Sequence, residues 1–138
     1  MFCGEIKFTE LPLFCQLIVR AALDSIAYQV NDILSLIRKS SDVQITQLCV
    51  DGGATKNFYL MQFQSDLVRL PLKVPSDAEL SGKGAAFMAA IAQGIYTESI
   101  LDQHEDESFF EPVADEKVIS EKVEGWHKAI SSTIEYGV

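Results

Sequence analysis

Residues Val50 to Asn57, Val-Asp-Gly-Gly-Ala-Thr-Lys-Asn, are the part of this 138-residue sequence best suited to holding a ligand. An apolar stretch, Gln44 to Asp51, runs into Gly52 and Gly53, and an amphipathic segment follows at once. Two missing Cβ atoms open dihedrals closed to other residues and let a ligand come close to the main chain. The helix expected next would aim unpaired N–H groups and its positive dipole end at the same point, which suits an anion. Taken alone, the glycine pair is better explained as a tight strand-to-helix turn with no ligand. Asp51 beside an anion would be repelled unless a cation or water lay between. It either holds a water of a Mg²⁺ shell or, more simply, accepts local N–H groups that order the turn.

Other candidates carry less. Ser81-Gly-Lys-Gly84 evokes a phosphate-binding loop, but Asp77 stands where its first glycine belongs and Gly84 where its Ser or Thr belongs, so that reading is rejected. His104 and His127 have no partner at metal-ligand or triad spacing. Ser25, Ser65 and Ser99 lack the glycine context of a nucleophile elbow. Cys3, Cys15 and Cys49 lack metal-ligand spacing and read as reduced thiols. Phe58, Tyr59 and Phe63 fall at helical spacing and read as core. No residue is assigned as catalytic or as a metal ligand.

The elements that must position the turn can be read from periodicity. A long helix is expected from about Leu11 to Lys39, with Phe14, Leu17, Ile18, Ala21, Ile26, Val30, Ile33, Leu34 and Ile37 tracing one buried stripe. Pro12 is tolerated in its first turn. Gln44 to Asp51 reads as a buried strand. A helix from about Thr55 to Arg69 would bury Leu60, Phe63 and Leu67. Leu70 to Val74 is a short strand; because Pro71 lacks a donor, it should be an edge strand or carry that proline at its start. A third helix from about Ser81 to Tyr96 is apolar all round over Gly84 to Ala92, which predicts burial. Residues 98–114 form an acidic connection, and a terminal helix spans 115–134. Residues 1–10 are a lead-in of open assignment, within which Glu5 to Phe8 alternates like a strand. The whole reads as one domain, residues 1–138. Strands alternating with helices give an α/β fold with parallel pairing.

Composition agrees with a compact domain: 48% of residues are apolar, enough for a core. The net charge of −9 is uneven, since Glu98 to the end carries 11 acidic and 3 basic residues. That balance disfavours nucleic-acid partners, and Asp102, Glu105, Asp106 and Glu107 read as solvated surface. The longest uninterrupted apolar run, Ala85 to Ala92, is too short to cross a bilayer, and no secretory signal is visible at the start. A cytoplasmic protein without a membrane partner is expected.

At this point several co-linear motifs resemble the FGGY carbohydrate kinases. Arg20-Ala-Ala-Leu-Asp-Ser-Ile-Ala-Tyr-Gln29 is similar to that family's R-A-x-L-E-x-I-A-[FY]-Q helix. Val50 to Asn57, followed by Leu60-Met-Gln-Phe-Gln-Ser-Asp-Leu67, is similar to its V-D-G-G-A-x-x-N-x-x-L-M-Q-F-Q-[AS]-D-[IL]. The likeness continues through Val74-Pro75, Glu79, Ser81, Gly84-Ala-Ala86, Gly94, Phe110-Glu-Pro112 and Gly125-Trp-His-Lys-Ala-Ile130. It departs at Gly82-Lys83, where relatives usually have Ala-Leu. A lysine in a first helical turn opposes the dipole unless an anion, such as Glu79 or a nucleotide, offsets it. The simpler reading is an exposed lysine whose stem lies along the surface.

The resemblance implies a partial actin-like, ribonuclease-H-like domain: helices on a small parallel sheet, without the family's first strands. It implies transfer of the γ-phosphate of ATP to a hydroxyl of glycerol or a sugar, with Mg²⁺. Gly52, Gly53 and Ala54 would line the nucleotide beside its α-phosphate and adenosine, and Asn57 would reach the adenine. The family's catalytic base is an aspartate on its first domain, which no segment here matches, and the sugar site lies upstream too. Such a chain alone is expected to be inactive. The alternative is a non-catalytic remnant or interaction module with the kinase fold. A sheet this small leaves edges and apolar faces uncovered, so self-association or pairing with the missing half is expected.

Overall fold

A computed structural model describes residues 12–42, 44–76, 80–102 and 107–136. The lead-in strand expected at Glu5 to Phe8, and Asp77, Glu79 and His104, lie outside the described residues. The order is α1 (Leu13–Ser40), β1 (Leu48–Cys49), a 3-10 turn (Gly53–Lys56), α2 (Phe58–Val68), β2 (Leu72–Pro75), α3 (Leu80–Ala92), a second 3-10 turn (Glu98–Asp102), β3 (Glu107–Phe110) and α4 (Glu116–Tyr136).

The three strands form one sheet in the order β1-β2-β3. β1 and β2 are parallel, with Leu48 opposite Leu72, as the βα alternation requires. β2 and β3 are antiparallel, with Leu72 opposite Phe110, so the sheet is mixed where a parallel one was expected. The extra strand lies inside the stretch expected to be a solvated acidic connection. Only one side of β3 is acidic in effect: Phe110 points into the core, while Glu107 pairs with Lys73 at 2.7 Å. Pro71 stands just before β2 and contributes only its carbonyl, to the Leu48 N–H. Of the two placements its missing donor allows, the start of the strand is the one used.

The core lies between the sheet and α2, where Leu60, Phe63, Leu67 and Val68 meet Leu72, Val74 and Phe110. The outer side of α2 is covered by α1 and α4. From α1 the buried residues are Ala27, Asn31 and Leu34. This corrects the expected stripe, because Phe14, Leu17, Ile18, Ile26, Ile33 and Ile37 are all exposed. A helix apolar on two faces gives no unique period, and here the face with the smallest residue, Ala27, is the one that lets α1 approach α2. By length and composition α1 is one helix that could span a membrane. One face of it is committed to its neighbours: Asn31 is buried, and Asp24 and Asp32 accept hydrogen bonds from Tyr59 of α2 and Trp126 of α4. α3, expected to be buried, has no buried residue.

Polar groups fix how these layers sit. The buried Asp66 carboxylate accepts the Val113 and Ala114 N–H groups at 2.8 and 3.0 Å. The Ser65 hydroxyl, fully buried, lies 2.9 Å from the Leu70 carbonyl and 2.8 Å from that of Phe110. Gln62 donates to the Glu111 carbonyl at 2.8 Å and Gln64 to that of Ala27 at 3.3 Å. The Gln62–Asp66 run is therefore a clip that binds α2 to α1, β3 and the 111–114 connection. At the C-terminus of α2, Arg69 takes a left-handed conformation (φ 56°) and donates to the Ala114 carbonyl at 2.7 Å, reinforcing the same clip.

Candidate functional site

The turn after β1 is built by its glycines. The Val50 N–H continues the parallel ladder by donating to the Lys73 carbonyl at 3.0 Å, and the chain then leaves the sheet through Asp51, which is exposed. Gly52 has φ 95° and ψ 171°, a region open essentially to glycine alone. Its carbonyl accepts both the Thr55 N–H at 3.1 Å and the Thr55 hydroxyl at 2.7 Å, closing the 3-10 turn. Gly53 opens that turn, and a Cβ placed on either glycine would meet nothing within 4 Å. The main chain is bare there, and the first N–H groups of such a turn have no partner inside it. The turn also sits at the carboxyl end of the β1-β2 parallel pair, the end of an α/β sheet where ligands bind.

Asn57 has a structural task as well. It is the N-cap of α2, and its Oδ1 accepts the Leu60 N–H at 3.1 Å. The cap fixes the side chain and leaves its NH₂ as the atom able to donate to a ligand. α2 starts at Phe58, not Thr55, so its start lies beyond the turn and not at Gly52 and Gly53 as the sequence suggested, and the Leu60 N–H is answered by Asn57. The 3-10 turn takes that place. Gly52, Gly53, Ala54 and Asn57 thus lie on one continuous hydrogen-bonded turn, with the Asn57 N–H donating to the Ala54 carbonyl at 3.1 Å. Lys83, the departure in α3, holds its ammonium 5.6 Å from the centre of the Phe87 ring, in keeping with a stem laid along its own helix.

Two arrangements escaped sequence reasoning. Asp32 on α1 accepts the Trp126 indole N–H at 2.8 Å and lies 2.8 Å from His127 Nε2, while Tyr28 stacks on Trp126 with ring centres 5.1 Å apart. His127 therefore has a partner, but one 95 residues away, which no local spacing reveals. Two turns nearer the start of α1, Tyr59 donates to Asp24 at 2.5 Å, and the Arg20 guanidinium lies 4.1 Å from the centre of the Tyr59 ring. Burial and the Asp24 carboxylate push the Tyr59 phenol well above its ordinary range. A hollow of about 210 Å³ beside Tyr59, Phe63 and Lys122 lies between α1, α2 and α4, away from the glycine turn. Both arrangements fasten helices together: Tyr59 ties α2 to α1, and Trp126 with His127 ties α4 to α1.

The geometry leaves a strand, an obligate glycine and a capped helix, the same order in which the motifs occur. Residues 11–93 match the model of the FGGY family of carbohydrate kinases, C-terminal domain. The chain belongs to this family. A glycerol kinase of Natranaerobius thermophilus is 40% identical over 118 residues, 85% of this chain and 24% of the relative. One of Bacillus subtilis is 38% identical over 120 residues, again 24% of its length. This FGGY chain thus spans about a quarter of the length of the curated relatives it matches. Among solved structures, Plasmodium falciparum glycerol kinase with ADP is similar at a TM-score of 0.68 and 32% identity, over 84% of this chain and 24% of that one. A xyloylose kinase from Brucella ovis has a TM-score of 0.65 at 20% identity, covering 100% of this chain and 28% of that one, a likeness of fold. The actin-like kinase fold expected from the motifs is the fold of this chain.

Proposed function

We propose that this chain is the nucleotide-binding segment of an ATP-dependent carbohydrate or polyol kinase of the cytoplasm. Gly52, Gly53 and Ala54 line the α-phosphate and adenosine of ATP or ADP, and Asn57 donates from its NH₂ group to a ring nitrogen of adenine. The observation that carries this is the bare main chain at Gly52 and Gly53, held open by a backbone conformation only glycine takes and placed at the carboxyl end of a parallel strand pair. Likeness to a glycerol kinase solved with ADP supports the choice of nucleotide. The bound nucleotide supplies the phosphoryl group for a hydroxyl of the acceptor, with glycerol favoured because the similar relatives are glycerol kinases.

What this chain does for that reaction is bind and orient. The glycine turn lets the main chain face the nucleotide, and the α2 cap holds the Asn57 side chain in one position, so little is lost in ordering it. Mg²⁺ enters with the nucleotide in the complete enzyme. Among the described residues no three His, Cys, Asp or Glu side chains are grouped to hold an ion, so no residue is assigned to it. No base is assigned either, and the chain by itself transfers no phosphate. A non-catalytic module with the same fold is the competing reading.

Calorimetry with ADP tests the site. The chain should bind ADP, Gly53→Val should abolish binding with the fold intact because its Cβ has open space, and Asn57→Ala should weaken it. Absence of any heat from the unaltered chain, or full binding by Gly53→Val, sinks the assignment and leaves the non-catalytic module.

A further inference from the structure

The peptide that joins Gly52 to Gly53 is the loosest link in the turn after β1. It has no Cβ on either side, so little steric resistance keeps its plane from rotating to the reverse orientation. Orientation matters there, because a trans peptide points its C=O and its N–H in opposite directions, and no described peptide bond is cis. One orientation offers an N–H group to a ligand in front of the turn. The reverse offers a carbonyl oxygen, whose negative end repels a phosphate.

Thr55 holds one of the two. Its hydroxyl donates to the Gly52 carbonyl at 2.7 Å, and its own N–H reaches the same oxygen at 3.1 Å. With that carbonyl drawn into the turn, the Gly53 N–H points away from it. Gly53 is exposed, and its N–H has no acceptor among the described residues. The N–H of Thr55 alone would make an ordinary turn; the hydroxyl is a second hold on the same oxygen. Position 55 is also one of the two open places in V-D-G-G-A-x-x-N, so this hydroxyl is a feature of the chain's own sequence.

We propose that Thr55 is a positioning residue for nucleotide binding: its hydroxyl fixes the Gly52–Gly53 peptide so that the Gly53 N–H donates to a phosphate oxygen of the nucleotide. The inference rests on the nucleotide reading of this turn and adds to it a residue that touches no ligand itself. The phosphate depends on the hold and the base does not, because the base contact runs through Asn57, whose side chain is fixed separately by the Leu60 N–H. Loss of the hydroxyl therefore divides ligands by their phosphate. A threonine that only steadied the turn would affect nucleotide and nucleoside alike.

Thr55→Val keeps the branched shape and the backbone bond and removes the hydroxyl; Thr55→Ser keeps the hydroxyl. Calorimetry on the 138-residue chain should show ADP bound about three- to tenfold more weakly by Thr55→Val, with adenosine affinity unchanged. Thr55→Ser should recover most of the ADP affinity. In ligand-free, isotopically labelled protein, the NMR signals of the Gly52 carbonyl and the Gly53 amide should move in Thr55→Val and return in Thr55→Ser, while circular dichroism stays that of the unaltered chain. Full ADP affinity in Thr55→Val, equal losses for ADP and adenosine, or a Gly52 carbonyl signal indifferent to the hydroxyl would each overturn the inference and leave the nucleotide reading standing. Absence of ADP heat from the unaltered chain removes the nucleotide reading itself, and this inference with it.

Discussion

α2 and α3 are both apolar helices of similar length, and they meet opposite fates. Of the 11 residues of α2, eight are buried. α3, Leu80 to Ala92, has Lys83 as its one charged residue and no buried residue, with Phe87 and Ile91 half-buried. Apolar content sets how much a helix gains from burial but not whether a partner exists. α2 has α1 on one side, β2 and β3 on the other and α4 at its flank, with four side chains of its Gln62–Asp66 run clipping it to them. Among the described residues α3 meets chiefly the 3-10 turn Glu98–Asp102.

The largest expected effect separates the two helices directly. Phe63 is 6% exposed and meets Tyr28 edge-on and Tyr59 in a stack. Phe63→Ala should therefore lower stability by about 3–5 kcal/mol, while Met88→Ala on α3, at 61% exposure, should change it by less than about 0.5 kcal/mol. Urea denaturation of both variants checks this. Equal effects would mean that α3 is packed after all and that the contrast is false.

Next comes the clip. Asp66→Ala leaves the Val113 and Ala114 N–H groups without their acceptor, at a cost of about 2–3 kcal/mol. Because those groups lie just before α4, amide exchange should quicken at 113 and 114 and along the start of α4 before it does so in α1. Uniform quickening would show that Asp66 supports the fold as a whole and not this junction.

How much of this contrast is legible in the sequence depends on which signal each part leaves. The long helices can be read because periodicity accumulates: Leu13–Ser40 was expected as Leu11 to Lys39, and Glu116–Tyr136 as 115–134. The glycine turn can be read because a backbone need has a residue type attached to it. β3 was missed because two of its four residues, Glu107 and Ser108, are polar and the flanking acids dominate composition; what makes it a strand is its pairing with β2, with Lys73 of that strand bonded to Glu107 and the Ser65 hydroxyl of α2 to the Phe110 carbonyl. The cap role of Asn57 could not be read, since whether an amide serves the backbone or a ligand depends on where the helix starts. Which face of α1 is buried could not be read at all, because both are apolar and the answer lies in α2.

A smaller effect of opposite sign is expected in α3. Gly84 lies in the helix interior, and a Cβ there would meet nothing within 4 Å. Gly84→Ala should raise stability by about 0.5–1 kcal/mol, through propensity alone. A loss of stability in the isolated chain would show that α3 is already packed at Gly84.

Acid is the mildest probe of the comparison, because it reaches the fastened helices and spares α3, which has no carboxylate. Burial raises the Asp32 carboxyl, but the hydrogen bonds from His127 and Trp126 and the His127 charge together hold it below its ordinary value of 3.8. A carboxyl depressed in the folded state contributes stability that is fully present above its unfolded value and lost as pH falls through the folded one. The loss should therefore begin below about pH 4 and continue downward. Trp126 is the single tryptophan, so its fluorescence reports the Asp32 contact without interference. In unaltered protein the emission should shift over that acid range while the helical signal stays near its neutral value. In Asp32→Asn the step should vanish. A step that persists in Asp32→Asn would place the acid-sensitive contact in another carboxylate, and the fastening of α1 to α4 would then rest on the Tyr28–Trp126 stack alone.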